Sequence, residues 1–492
     1  MRIVQILLLV SAVVCSRASF AQKAASMKLS TQEVQAIHSF VTGDMARNHI
    51  PGVAVGVYRM GTVLLAKGYG LANVELDVPV KPETVFESGS VGKQFVAAAV
   101  MLLAEEGKLS LDDSITKYFP TAPESWKPIL VKNLLSHTSG LPDYDSRALA
   151  GPRGPFYLRL DFTENQLLKK IEAFSPEWAP GTRWQYSNTN YVLLGILIHK
   201  VSGMPYAEFL REKIFGPLGM KSTRVISQRD IIPNRASGYQ IDGGGQLRNQ
   251  AWVSPTFDST ADGSLYINVV DMAKWDAALY GTRLLSQSSL DRMWTVYRLN
   301  GGKPNPGDYG FGWEIRSQNG HRLLEHSGAW QGFSCDISRY PDDKLTVVVL
   351  TNLGGAHSDP AYMAHVIAGL VDAPLLPAKL SAVSDTRPEI KTKLENFLST
   401  VVAGRDARPL MSASFARIIT PTVIKQAQQK ISALWPGGAL TLVKRITQPG
   451  PTGPTISIFR LKKSKNAVLV VFALDRMGKV AMVRLLPNRA YE

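Results

Sequence analysis

The chain has 492 residues, 45% of them hydrophobic, with two cysteines and a net charge of +15. The apolar content excludes a disordered chain, the length favours two domains over one, and two cysteines exclude a disulfide-built scaffold and a cysteine zinc cluster. Charge is uneven: residues 379–492 hold 19 Lys or Arg against 6 Asp or Glu, a net of +13.

Residues 1–21 read as a secretory signal. Arg2 supplies the charge, Ile3 to Val14 the apolar core, and Ser19-Phe20-Ala21 a small-x-small cleavage site. The apolar run is shorter than the roughly 20 residues that span a bilayer. Cleavage after Ala21 makes the chain exported, periplasmic or secreted. The alternative is lipidation at Cys15, for which Val14 is a poor preceding residue. After cleavage Cys335 is the one cysteine left, and its alternating neighbours predict a buried strand residue.

Gly52 to Tyr58 and Thr62 to Gly68 read as strands joined by a turn at Met60-Gly61. Ser90-Val91-Gly92-Lys93 then opens an apolar run, Phe95 to Ala104, that stops at Gly107 and predicts a helix. Positions three apart share a helix face, so the Lys93 ammonium can reach the Ser90 hydroxyl. Serine is a weak nucleophile until a neighbour takes its proton, and a desolvated lysine can do so. Alone, this spacing also fits a surface serine and a solvated lysine.

Leu134 to Pro142 is a loop segment whose His137 has no ligand-spaced companion and reads as structural. Residues 147–161, rich in Gly and Pro, show no readable specificity and are expected to drape over the pocket. Tyr186-Ser187-Asn188 follows a Pro180-Gly181 turn and precedes an apolar helical run from Tyr191 to Ile198. A phenol beside an ammonium can have its pKa lowered and act as a base, and an Asn188 amide can both donate and accept. A buried tyrosine with a helix-capping asparagine is the plain alternative. His326-Ser327-Gly328 lies between aromatic strand-like segments joined at Gln318-Asn319-Gly320, and Gly328 would let a substrate backbone approach closely. No group of residues has metal-ligand spacing, and no cofactor is implied.

Ala361 to Val371 should close the first domain, expected over 30–373. A break follows near Pro374 to Ser384. The remainder, expected over 385–492, reads as a small α+β unit. It has helices at Ile390 to Val402 and Val423 to Leu434, and strands at Ser457 to Leu461, Ala467 to Leu474 and Val480 to Leu486. Weakly, it resembles a cystatin-like or nuclear-transport-factor-like curved sheet. Its basic excess suits an anionic envelope surface, or merely a solvated face. Nucleic acid is not expected of an exported chain.

Ser90-x-x-Lys93, Tyr186-x-Asn188 and His326-x-Gly328, in that order, resemble the motifs of the serine beta-lactamase-like hydrolases. That group contains class C beta-lactamases, D-alanyl-D-alanine carboxypeptidases, D-aminopeptidases and related esterases. Phe86 to Ser90, Leu134 to Pro142, and Asp262-Gly263-Ser264 with Asp271 to Trp275 agree with it. The resemblance implies an α+β fold: an antiparallel sheet flanked by helices, with the third motif on an edge strand, beside an all-helical region. It implies Ser90, Lys93 and Tyr186 as the catalytic set, Asn188 and His326 as substrate contacts, and the N–H groups of Ser90 and Ala329 as the oxyanion hole. It also implies a small-molecule or peptide substrate. His326 stands where efficient lactamases usually carry lysine, which ranks a D-amino-acid peptidase or esterase above a lactamase or penicillin-binding protein. A non-catalytic envelope-binding protein is the reading of another class.

Overall fold

The computed structural model describes residues 28–355, 357–377, 382–419, 421–447, 455–464, 466–475 and 477–487. The expected signal segment and Cys15 lie outside them.

Seven antiparallel strands form the main sheet. Their order across it is Val78–Pro79, Thr62–Asn73, Gly52–Arg59, Leu345–Thr351, Phe333–Tyr340, His321–Trp330 and Glu314–Gln318. Strands from the two ends of this region thus meet at the centre, where Val55 faces Val349. Gly52–Arg59, Phe333–Tyr340 and Leu345–Thr351 are buried along their whole length, as strands covered on both faces must be. Period-two alternation sorts their side chains. Val53, Val55 and Val57 pack with Ile37 and Val41 of the Thr31–Asn48 helix and with Met363 and Ile367 of the Pro360–Val371 helix. Ala54, Val348, Leu350 and Cys335 face the opposite core, which includes Phe95, Val96 and Ala99.

Those last residues belong to the Lys93–Glu105 helix, which is apolar on almost all sides and therefore sits in the interior. It packs on the Asn188–Ser202 helix, where every residue from Thr189 to Ile198 is buried. Cys335 is free and buried, as its strand pattern required.

The C-terminal region has its own sheet, ordered Ala439–Thr447, Thr455–Lys463, Asn466–Leu474, Val480–Pro487. Helices Pro388–Val402, Ala413–Ile418 and Pro421–Ser432 accompany it, and Leu394, Leu398, Phe459 and Phe472 centre a core distinct from the other two. The strand at Ala439–Thr447 and the short helix at Ala413–Ile418 were not anticipated from the sequence. Residues 147–161 are pinned by Ser254 and Thr256, whose backbone N–H groups donate to the Leu158 carbonyl and the Asp161 carboxylate.

Candidate active site

Ser90 lies in a short 3-10 turn, Gly89–Gly92, and Lys93 is the first residue of the long buried helix that follows. The change of helix type places the two side chains together. Lys93 Nζ donates to Ser90 Oγ at 2.9 Å, to Asn188 Oδ1 at 2.8 Å and to the Asp262 carbonyl. An ammonium has three N–H groups, and all three are used. If Lys93 loses a proton, Asn188 and Asp262 can hold the two that remain, and the lone pair then faces Ser90. Lys93 is fully buried, and burial pulls its pKa from the ordinary lysine value down to about 8. The carboxylates of Asp262, Asp143 and Asp145 act in the other direction and keep it from falling further. Asp145 is itself pushed up to about 7 by partial desolvation of its carboxylate, although the residue as a whole is exposed, and by its acidic neighbours Asp262 and Asp143.

The Tyr186 side chain lies near enough to Ser90 for the two hydroxyls to interact, and its ring centre lies 5.0 Å from Lys93 Nζ. The expectation of a lowered tyrosine pKa is overturned. Burial raises it well above the ordinary phenol value, so Tyr186 is a neutral hydroxyl at pH 7. Asn188 has a further role beside the substrate contact expected of it. It opens the Asn188–Ser202 helix after Ser187 in the capping position, its backbone N–H donates to Asp143 Oδ1 at 3.0 Å, and its side-chain oxygen is given to Lys93.

His326 is 2% exposed, and both of its ring nitrogens are engaged. Nδ1 donates to the Ser327 carbonyl at 2.7 Å, which leaves Nε2 to accept from the Tyr309 hydroxyl at 2.9 Å. Burial, reinforced by the nearby Lys93 charge, lowers its pKa to about 3, so the ring is neutral. It has no donor left for a substrate, contrary to the substrate contact expected of it.

Gly328 also does something other than expected. The backbone that approaches it belongs to this chain. A Cβ added at Gly328 would lie 2.0 Å from the Ser88 carbonyl oxygen and 2.9 Å from Ser90 N. Opposite, a Cβ at Gly89 would lie 2.4 Å from Ala329 N, and one at Gly263 would lie 2.7 Å from the Gly89 carbonyl carbon. Three chain segments therefore meet main chain to main chain, bringing the N–H groups of Ser90 and Ala329 close together. The start of a 3-10 turn leaves the Ser90 N–H without a helical acceptor. Trp330 pairs with Phe333 across a two-residue turn, so Ala329 falls in the next, non-bonded pair and its N–H points away from that neighbour. On the other side, pairing with Glu314–Gln318 stops at Glu325. The third motif is thus not on a strand that is an edge throughout, but its own half of the strand is uncovered. Gly328→Ala is expected to lower kcat/KM by about 100-fold, the scale of losing one oxyanion donor, with an unchanged circular dichroism spectrum. Wild-type turnover in that variant would show that the turn yields without harm.

Sequence reading missed three partners. His137, read from the sequence as a structural loop residue, is a buried wall of the site. Its ring centre lies 4.3 Å from that of Tyr186 in a tilted contact and 4.7 Å from that of Tyr309 in an edge-on one, and its Nδ1 accepts the Ser187 N–H at 3.3 Å. It sits at φ 57°, a conformation that non-glycine residues hold only where surroundings enforce it. Asp262 supplies a carbonyl to Lys93, and its Oδ2 accepts from the Tyr144 hydroxyl at 2.9 Å. Tyr309 orients His326; its only sequence signal is the aromatic-glycine run that contains it. Ser90, Tyr186 and Asn188 are half-buried, and Ser327 and Ala329 are exposed, so the cluster opens to solvent along one side. Among the described residues no group of side chains could hold a metal ion.

The beta-lactamase family model matches residues 37–372, and the chain belongs to that family. Penicillin-binding protein 4* of Bacillus subtilis (strain 168) is 34% identical over 321 residues, which cover 59% of this chain and 68% of that protein. Among solved structures, the octameric penicillin-binding protein homologue from Pyrococcus abyssi is similar in fold. Its TM-score is 0.61 at 24% identity, covering 93% of this chain and 98% of that one. The D-amino acid amidase from Ochrobactrum anthropi SV3, solved with L-phenylalanine amide, gives a TM-score of 0.58 at 25% identity over 70% of this chain and 97% of that one.

Proposed function

We propose that the chain is an exported serine hydrolase that opens small amides or esters of D-amino-acid type through an acyl-enzyme on Ser90. Residues 30–373 would carry this chemistry, with 385–492 a separate unit. The observation that carries the reading is the set of three acceptors around Lys93 Nζ, one of which is Ser90 Oγ. In the neutral form Lys93 takes the Ser90 proton as Oγ attacks the carbonyl carbon. Charge developing on the carbonyl oxygen is met by the N–H groups of Ser90 and Ala329. Tyr186, neutral in the resting site, gives its proton to the leaving nitrogen or oxygen and regains one from Lys93. Water then releases the acyl group by the reverse relay. The similarity to a D-amino acid amidase supports an amide substrate. Neutral, fully engaged His326 supplies no cation for a substrate carboxylate, which disfavours a lactam or a free D-alanine terminus.

A panel of a D-aminoacyl nitroanilide, its L-isomer, a nitrophenyl ester, a D-alanyl-D-alanine peptide and a chromogenic cephalosporin tests this. The D-aminoacyl amide and the ester should turn over, and the cephalosporin should not. Turnover of the cephalosporin alone would make the chain a lactamase, and no turnover with no labelling by a fluorophosphonate would make it a binding protein.

The pH profile follows from the pKa shifts. Below about 8 Lys93 is protonated and cannot accept, so kcat/KM should rise about tenfold per pH unit up to that value and then level. Burial holds His137 and His326 neutral through this range, so they add no limb. Asp145→Asn removes one carboxylate that favours the charged lysine, and should move the limb to lower pH. A limb centred near the ordinary histidine value, unmoved by Asp145→Asn, would exclude Lys93 as the base.

A further inference from the structure

His137 grips the chain on both sides of Tyr186. Its backbone carbonyl accepts the Gln185 N–H at 3.1 Å, and its Nδ1 accepts the Ser187 N–H at 3.3 Å. Between those two anchors its ring lies against the Tyr186 ring. One residue thus touches Gln185, Tyr186 and Ser187 in turn, with its carbonyl and its side chain aimed at the same segment. The backbone that does this is left-handed, at φ 57°. That conformation is uncommon for a residue with a Cβ, and strain of this kind collects at functional sites.

The tautomer of the ring is fixed as well. The Ser139 hydroxyl donates to Asn190 Oδ1 at 2.6 Å, which orients that amide so that its Nδ2 donates to His137 Nδ1 at 3.3 Å. With the Ser187 N–H at the same nitrogen, Nδ1 is an acceptor and the ring proton belongs on Nε2. Nε2 has no hydrogen-bond partner among the described residues, and the residue is 1% exposed, so His137 is not placed to pass a proton on. What the ring controls is geometry. Tyr309 packs edge-on against it from another side and also donates to His326, so both aromatic neighbours are held through this one residue. We propose that His137 is a positioning residue, which holds the Tyr186 hydroxyl at Ser90 and in line with the leaving group. The inference rests on the reading of Tyr186 as the proton donor to that group.

The test is a double-mutant cycle on the full chain, read as single-turnover acylation by a D-aminoacyl nitroanilide and by the matching nitrophenyl ester. Asparagine tolerates left-handed backbone, so His137→Asn keeps the turn and loses the ring. It should slow acylation by the amide by about 100-fold, the scale of a misplacement of about 1 Å, and acylation by the ester far less. In the Tyr186→Phe background the same change should alter the amide rate by no more than about twofold, because no hydroxyl is left to misplace. A residue that only supported the fold would slow both backgrounds, and both substrates, alike. His137→Phe keeps a ring against Tyr186 and removes the Nδ1 acceptor, and it runs the same cycle if His137→Asn melts below the assay temperature. Amide acylation at the wild-type rate by a folded His137 variant, or equal losses in the two backgrounds, would overturn the proposal while leaving Tyr186 in place. A Tyr186→Phe chain with no deficit of its own would end the reading of Tyr186, and the proposal with it.

Discussion

Ser90→Ala is expected to cut turnover of an activated ester by about 10,000-fold or more, the scale seen when a nucleophile is removed from an acylating set. The reason is local. The Ser90 hydroxyl is the atom on which Lys93 and Tyr186 converge, and no other hydroxyl is hydrogen-bonded to Lys93 Nζ. Replacing it removes the hydroxyl that the Lys93 amine is placed to activate. Folding should be unaffected, because Ser90 is half-exposed and the turn that carries it is fixed by Gly89, Gly263 and Gly328. Intact-mass measurement after mixing with a slow ester should show an acyl adduct on the wild-type chain and none on the variant. Retained turnover by Ser90→Ala would remove the covalent mechanism altogether.

Tyr186→Phe should slow acylation by about 1,000-fold, within the range general acid–base catalysis supplies. The substitution is conservative in shape. The phenyl ring can still stack on His137 and cover Lys93, so the loss isolates the hydroxyl. Because burial keeps Tyr186 protonated, its removal should hurt poor leaving groups most. The deficit should therefore be larger for an amide than for a nitrophenyl ester, whose leaving group departs without a proton. Single-turnover kinetics on the two substrates measures this. An equal deficit for both would mean that Tyr186 acts before leaving-group departure, and no deficit would take it out of the reaction.

Much of the site was legible because its chemistry is carried by short local spacings. Ser90 and Lys93 are three apart at a helix start, and Tyr186 and Asn188 bracket another, so pattern reading could find each pair. The sheet's central hairpin was legible for the same reason: Gly52 to Gly68 alternates and turns at Met60-Gly61. The errors arose where burial and distant contacts decide. Tyr186 looked like a residue whose pKa a neighbouring ammonium would lower, but desolvation dominates, and no local pattern reports desolvation. His326 looked available until Tyr309, 17 residues away, was seen to occupy its second nitrogen. His137 looked structural because its partners, Tyr186 and Tyr309, enter from other parts of the chain. Ala439–Thr447 was passed over because Lys444 and Arg445 interrupt its apolar alternation at a bulge. Ala413–Ile418 is too short to show a helical period.

The contact among Gly89, Gly263 and Gly328 bears on how this enzyme can change over generations. On the proposed mechanism the floor beneath the substrate carbonyl is bare main chain, so side-chain drift has nothing there to adjust, and a Cβ at any of the three glycines would collide with neighbouring backbone. Variation is left to the rim, where Ser327 and Ala329 present side chains to solvent beside an unpaired stretch of strand. New substrate preferences should therefore arise by exchange at those rim positions, on a floor that stays the same from one descendant to the next.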